Sequence, residues 1–88
     1  MTLKIERAVQ PGVTVVKLIG RIDAEHVEDL RGLLQQTDGQ DKIIDLEEIR
    51  LADRDAIRFL TACEGSGIKL QNCPAYIRNW IEIEKGLE

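Results

Sequence analysis

Four charged residues near the middle of the chain have the types and spacing to do chemistry: Asp53, Arg54, Asp55 and Arg58. They follow an apolar run at residues 43–46, which is short enough for a buried strand. A carboxylate at such a junction can accept hydrogen bonds from the backbone N–H groups that a helix start leaves free. It can equally meet a charged group of a binding partner. Helix stabilisation and recognition both stay open for Asp53 and Asp55 at this point.

The residues after this junction predict a helix. Apolar residues recur at helical spacing over residues 53–64, and Asp53 has the position of an N-cap. Arg54 and Arg58 lie one turn apart on the polar face. The alternative to a binding role is that these arginines are solvated, or bridged to carboxylates such as the glutamates at 47–48.

The rest of the chain alternates between strand and helix patterns. A turn at residues 10–12, with Pro and Gly, joins two apolar stretches as an antiparallel hairpin. Each later strand leads into a helix, and such crossovers imply parallel pairing. The sequence therefore predicts one α/β domain over residues 1–88 with a four-stranded mixed sheet. The predicted strands cover about residues 3–9, 13–19, 42–46 and 68–71; the helices cover 23–36, 53–64 and the residues after 74; a polar loop covers 37–41 and a short acidic loop 47–52.

The last helix has a wide apolar face. Tyr76, Trp80, Ile83 and Leu87 recur at helical spacing, with further isoleucines beside them. Large aromatic side chains close small cores, so Tyr76 and Trp80 are expected inside the protein. The alternative is an exposed anchor for a partner.

The sequence offers no set of residues for catalysis or for a metal. A nucleophile needs an adjacent base, and the single histidine, His26, lies among acidic residues early in the first helix. Cys63 and Cys73 lack the spacing of a zinc motif or of a Cys-x-x-Cys pair, so they are expected to be free structural thiols, with a redox role as the alternative. No phosphate-binding loop is present. We therefore predict a non-enzymatic protein without a cofactor.

The composition argues against nucleic acids and membranes as binding partners. The chain is 43% hydrophobic and 32% charged, with a net charge of -4. Nucleic-acid binding depends on positive charge, and one Trp, one Tyr and one Phe leave little for base stacking. No apolar run approaches the ~20 residues that span a bilayer, and no signal-peptide pattern opens the sequence. The expectation is a cytoplasmic protein that binds other proteins, and a second copy of this chain is one candidate.

Several segments, in order along the chain, resemble the STAS family, named for sulphate transporters and anti-sigma-factor antagonists. Residues 44–46 and 53–57 resemble the family's strand ending in Asp-Leu and its Asp-Ser-Ser-Gly-Leu helix start. Residues 13–23 resemble its second strand with the Gly-x-Ile-Asp exit, and residues 70–72 resemble its last strand. The resemblance covers nearly the whole chain. It implies that strands two to four lie in sequence order, with the helices mainly on one face of the sheet.

The chain departs from the family at the start of the second helix. Members that act in partner-switching signalling carry a phosphorylatable Ser after the Asp, where this chain has Arg54, followed by Asp55 and Ala56. Phosphorylation at that position is therefore excluded, and Asp55 places a fixed negative charge there.

The resemblance implies a regulatory module that binds an anti-sigma kinase-like factor. The runner-up is a soluble STAS-like accessory subunit of a membrane transporter for lipids or anions. Parallel strands end at the same edge of a sheet, so the helix starts that follow them should form one surface. The predicted partner-binding residues are Asp23, Asp53, Arg54, Asp55 and Arg58.

Overall fold

The computed structural model of the chain describes residues 3–36 and 41–87. Its elements follow the predicted order, which is therefore confirmed. They are β1 (Leu3–Gln10), β2 (Val13–Ile22), α1 (Ala24–Gln35), β3 (Asp41–Ala52), α2 (Arg54–Gly65), β4 (Lys69–Gln71) and α3 (Ala75–Gly86). The loop predicted at 37–41 lies mostly outside the described residues, and its last residue begins β3.

The four strands form one mixed sheet in the order β1-β2-β3-β4. β1 and β2 pair antiparallel across a turn in which Gly12 has a φ of 81°, a left-handed conformation that favours glycine. β2 with β3 and β3 with β4 pair parallel, joined by helices as crossover connections. The predicted fold class, an α/β domain with an antiparallel hairpin followed by parallel strands, is confirmed.

β3 is longer than its apolar run indicated. The acidic segment predicted as a loop continues the strand, and pairing with β2 runs on to Ile22 opposite Ala52. Two register shifts interrupt this ladder, between Lys17 and Ile19 and between Gly20 and Arg21. Such bulges break the alternation of side chains, so the segment does not show the period of a regular strand. The loop prediction was wrong for this reason.

The core lies between one face of the sheet and the helices. Alternate residues of β2 and β3 are fully buried with residues of α2 and α3, which places the helices over that face. Burial of each such aliphatic side chain stabilises the fold by about 1.5–3 kcal/mol. The most buried members are Leu18, Ile22, Leu46, Ala56, Ile57, Leu60, Ile77 and Ile81.

Helix α3 is turned differently from the orientation that its aromatic residues predicted. Ile77 and Ile81 are fully buried, while Tyr76 is 46% exposed. Trp80 is half-buried and packs at the margin of the core. The hydroxyl of Tyr76 donates to the carbonyl of Ile49 at 3.4 Å, so its polar end is held at the surface of β3. The prediction that Tyr76 closes the core was wrong.

Candidate functional site

Asp53 joins the starts of two helices. Its Oδ1 accepts a hydrogen bond from Ala56 N at 2.9 Å, which caps α2 as predicted. Its Oδ2 accepts a second one, at 3.1 Å, from Ala24 N at the start of α1. The backbone N–H of Asp53 donates to the carbonyl of Ile22 at 3.2 Å, which ties the same residue to the end of β2. Both carboxylate oxygens are therefore engaged within the fold.

Asp23 caps the other helix. Its Oδ1 accepts from Glu25 N at 3.1 Å in the first turn of α1. Arg21 Nε lies 3.9 Å from its other oxygen, and His26 Nδ1 lies 3.0 Å from Oδ1 without the alignment of a hydrogen bond. Asp23 follows β2 and Asp53 follows β3. The two residues therefore lie close together, because neighbouring parallel strands end at the same edge of the sheet.

Arg54 and Arg58 reach from α2 to a single buried carboxylate on α3. Arg54 Nε lies 3.2 Å from Glu84 Oε1, and Arg58 Nε lies 3.7 Å from Glu84 Oε2. The Glu84 side chain is only 8% exposed, whereas the two arginines are 59% and 56% exposed. The glutamate named as the alternative bridge, Glu48, pairs instead with Lys17 at 2.7 Å. The arginines therefore hold α2 and α3 together while their outer surfaces face solvent.

The sequence contains a signal for the buried position of Glu84. Glu84 falls three and seven residues after Ile81 and Ile77, so it shares their buried face at helical spacing. A carboxylate on a buried helix face requires a cationic partner from another element. The pair Arg54 and Arg58, one turn apart on α2, is such a partner.

An open groove lies between α1 and α2. The part of the groove near the starts of the two helices has a volume of about 320 Å³. It is lined by Val27, Asp55, Arg58 and Phe59. Arg31 lies across the groove, with its guanidinium carbon 5.9 Å from the centre of the Phe59 ring, within the range of a cation–π contact. The groove combines an apolar floor with charged residues at its rim.

The groove continues toward the other ends of the two helices. There a second hollow of about 330 Å³ shares Arg31 and Phe59 with the first, and Leu34, Cys63 and Ile68 line it as well. We call the two hollows together the α1–α2 groove. On the opposite side of α2, a smaller groove of about 280 Å³ runs between α2 and α3, with Arg58, Thr61, Glu84 and Leu87 at its walls.

The structure thus gives the five residues predicted to bind a partner three kinds of position. Asp55 and Arg58 are exposed on the outer ridge of α2, at the rim of the α1–α2 groove. Arg54 is exposed on the same helix and contacts Glu84 on α3, as Arg58 does, but it does not line the α1–α2 groove. Asp23 and Asp53 lie below the ridge as helix caps. The sequence interpretation missed Arg31 and Phe59, because their contact joins two helices that the chain order keeps apart.

The thiols have the properties of structural cysteines. Burial raises the pKa of Cys63 to about 11, and burial also raises the pKa of Cys73. Both are free cysteines. Since the thiolate is the reactive form, raised pKa values disfavour thiol chemistry at neutral pH.

A half-exposed ionic cluster reinforces the contact between α2 and α3. Arg78 donates to both oxygens of Glu64, at 2.9 and 2.8 Å, and Lys85 Nζ lies 2.7 Å from Glu64 Oε1. The hydrogen bonds from Arg78, and then from Lys85, lower the pKa of Glu64 from its ordinary value of 4.5 to about 2. Arg78 also contacts Glu82, at 3.3 Å.

Glu64→Gln is expected to lower the free energy of unfolding at neutral pH by about 1 kcal/mol, because solvent screens this half-exposed cluster. A carboxylate whose pKa is lower in the folded state than in the unfolded state stabilises the fold at pH values above its ordinary pKa. This stabilisation is lost as the pH falls through the pKa of the folded state. The difference between the two proteins should therefore shrink between pH 4.5 and about 2. Urea unfolding over a pH series measures it.

Glu28→Gln is the matched control, since it removes a carboxylate from the exposed pair with Arg31 on α1. Its effect should be smaller than that of Glu64→Gln at neutral pH. A Glu64→Gln effect that stayed constant from neutral pH to about pH 2 would contradict the assignment of the low pKa to this cluster.

Two further observations concern the described residues, 3–36 and 41–87. No group of three or more His, Cys, Asp or Glu side chains there is arranged to hold a metal ion. None of the helices in that part of the chain has the length and apolar content needed to cross a membrane.

The fold and the paired helix starts define a STAS-like α/β domain. A solved structure similar to this chain is that of the anti-sigma factor antagonist SpoIIAA in its unphosphorylated form, with a TM-score of 0.66 and 19% sequence identity. The match covers 89% of this chain and 79% of that chain. It confirms, at the level of the fold, the resemblance seen in the sequence. No family model and no curated protein matches the sequence.

Proposed function

We propose that this domain is a non-enzymatic regulatory module of the cytoplasm that binds a kinase-like anti-sigma factor. The observation that carries the proposal is the α1–α2 groove, with Asp55 and Arg58 at its rim, in a fold shared with an anti-sigma factor antagonist. An apolar floor with a charged rim suits a protein surface, because the floor supplies affinity and the rim fixes the partner's orientation.

The residues around the groove support binding rather than a reaction. A nucleophile needs a base within hydrogen-bond reach. Cys63 lines the second hollow of the groove, near the ends of the two helices, but burial raises the pKa of its thiol. His26 lies against Asp23 at the start of α1, and Asp23 is itself a helix cap. We therefore propose that the module acts by binding its partner and not by catalysing a reaction.

The start of α2 favours a module that no kinase switches at this site. Arg54 and Asp55 have no hydroxyl group, and the nearest hydroxyls on the helix are poorly placed. Thr61 is buried and donates to the carbonyl of Ile57 at 2.8 Å. Ser66 is at the C-cap, where the negative end of the helix dipole disfavours a phosphate. We infer constitutive binding, with Asp55 as a permanent negative charge.

The proposed roles differ among the five predicted residues. Asp55 and Arg58 contact the partner directly. Arg54 contributes the exposed side of a guanidinium that Glu84 holds in place. Asp23 and Asp53 act indirectly, by fixing the starts of α1 and α2 on either side of the groove.

The experiment uses the tagged protein to capture partners from its native cell and measures the affinity of the captured protein for variants. Reversing Arg54 and Arg58 is unsuitable, because two added carboxylates would face buried Glu84 and destabilise the fold. Asp55→Lys avoids this difficulty, since Asp55 is exposed at the groove rim. We expect it to weaken binding by about 1–3 kcal/mol, roughly tenfold to a hundredfold.

Glu47→Lys is the matched control, because it makes the same change of charge at an exposed position of β3. It should bind the partner as the original protein does, and circular dichroism should show both variants folded. Capture of a kinase-like ATPase supports the proposal, whereas capture of a transporter subunit assigns the domain to the runner-up function. Undiminished affinity of Asp55→Lys would show that the groove rim is not the binding surface.

A further inference from the structure

Strand β1 forms a long unpaired edge of the sheet in the part of the chain that the structure describes. It stands first in the strand order β1-β2-β3-β4, and all eight of its residues pair with β2. The strand at the opposite edge, β4, has only three residues. Residues 4–10 of β1 are exposed. The outer backbone N–H and C=O groups of β1 are therefore open to pairing with a further strand.

β1 lacks most of the features that protect an edge strand from such pairing. It contains no proline, and its ladder with β2 runs without a register shift, whereas the ladder between β2 and β3 has two. Its charged residues, Lys4, Glu6 and Arg7, are of both signs. A row of lysines would repel a second copy of the strand, but charges of both signs attract one wherever opposite signs face each other.

The two faces of β1 carry different side chains. The pairing of Ile5 with buried Leu18 places Ile5 on the face of the sheet that the helices cover. Lys4 and Glu6 lie on the open face, where their side chains are 70% and 51% exposed and 3.5 Å apart. A strand added to this edge would gain most from a carboxylate opposite Lys4 and a cation opposite Glu6.

We propose that β1 pairs antiparallel with β1 of a second copy of this chain, which joins the two four-stranded sheets into one continuous sheet. The twofold axis that relates two antiparallel edge strands is perpendicular to the sheet. It therefore keeps the helices of both copies on the same side. Residues that face each other across the axis must then lie on the same face of the sheet, so only every second register is possible.

The charges of β1 select one of these registers. With Ile5 at the axis, Lys4 of each copy faces Glu6 of the other, and the two Ile5 side chains meet on the helix side. With Lys4, Glu6 or Arg7 at the axis, two like charges face each other. Registers centred beyond Arg7 bring no opposite charges together. The selected register pairs residues 3–7 of the two copies.

The experiment measures the mass of the purified chain by sedimentation equilibrium over a wide range of concentration. The paired segment is short, so we expect the mass to rise toward that of a dimer with a midpoint in the micromolar range or above. Amide hydrogen exchange at high and low concentration locates the contact. Exchange in residues 3–7 should be slower at high concentration, because the outer N–H groups of β1 become hydrogen-bonded.

Lys4→Glu and Glu6→Lys should each weaken the dimer by roughly tenfold to a hundredfold, since each turns two attractive pairs into two repulsive ones. The two changes shift the net charge of -4 in opposite directions, so a general effect of charge would not weaken both. Lys4→Glu/Glu6→Lys exchanges the charges and should restore the affinity of the original chain, because opposite charges again face each other.

Lys69→Glu is the matched control, because Lys69 is exposed on β4 at the other edge of the sheet. Its register with β3 and β2 places it on the same open face as Lys4. The control should dimerise as the original chain does. Circular dichroism checks that the variants fold, and Lys4→Gln replaces Lys4→Glu if that variant does not.

Three results would overturn the proposal. The first is a monomer at every concentration with unchanged exchange in β1. The second is a dimer that the charge-exchanged variant forms no more tightly than Lys4→Glu or Glu6→Lys, which would exclude the register centred on Ile5. The third is a dimer that Lys69→Glu weakens as much as Lys4→Glu does, which would place the contact away from the β1 edge.

Discussion

Asp53→Ala is expected to lower the free energy of unfolding by about 2–4 kcal/mol. Loss of an N-cap costs about 0.5–2 kcal/mol, and a hydrogen bond to a charged group contributes about 1.5–3 kcal/mol. The structure assigns both contributions to this one side chain, through its bonds to Ala56 N and Ala24 N. Urea unfolding followed by circular dichroism measures the difference.

Asp23→Ala is the internal comparison, because Asp23 makes a single capping bond, to Glu25 N. It should cost about 1 kcal/mol, well below the cost of Asp53→Ala. Asp53→Asn keeps one acceptor oxygen and should fall between the two. Equal effects of Asp23→Ala and Asp53→Ala would mean that the bond from Asp53 to the start of α1 contributes nothing to stability.

Arg54→Ala/Arg58→Ala is expected to lower the free energy of unfolding by about 2–3 kcal/mol. Removal of the partners of a buried ion costs about 3–5 kcal/mol, and the exposure of the two arginines reduces that figure here. Glu84, which is 8% exposed in the original chain, would lose both of the cations beside it. The measurement is again urea unfolding, at neutral pH.

Adding Glu84→Gln to this double variant should restore at least half of the loss, since it removes the unpaired buried charge. The same Glu84→Gln change in the original chain should not stabilise. This double-mutant cycle separates the ion pairs from the packing of the arginine stems. A double alanine variant that loses less than about 0.5 kcal/mol, with no rescue by Glu84→Gln, would mean that these are ordinary surface contacts.

The parts of the fold that local patterns determine could be predicted from the sequence. The start of α2 is one case, because an Asp before an apolar helical repeat satisfies N–H groups only three residues away. The order of strands and helices is another, since the period of the apolar residues differs between the two. The resemblance added the order of the strands in the sheet.

The missed features depend on contacts between distant parts of the chain. The second bond of Asp53 spans 29 residues, and the bond between Arg54 and Glu84 spans 30. Only the packing of the helices brings these groups together. α3 carries two apolar faces in its sequence, and tertiary packing alone decides which one is buried. The bulges of β3 removed the alternation that would have identified its second half as a strand.

The most direct test of the proposed binding surface is amide hydrogen exchange of this chain with and without the protein that it captures. Partner binding at the α1–α2 groove should slow exchange in α1 and in the first half of α2, around Val27, Arg31 and Phe59. At a partner concentration near the dissociation constant of the original chain, Asp55→Lys should lose most of that protection, while Glu47→Lys should retain it. Protection confined to β1 and β2, with α1 and α2 unchanged by the partner, would contradict the account.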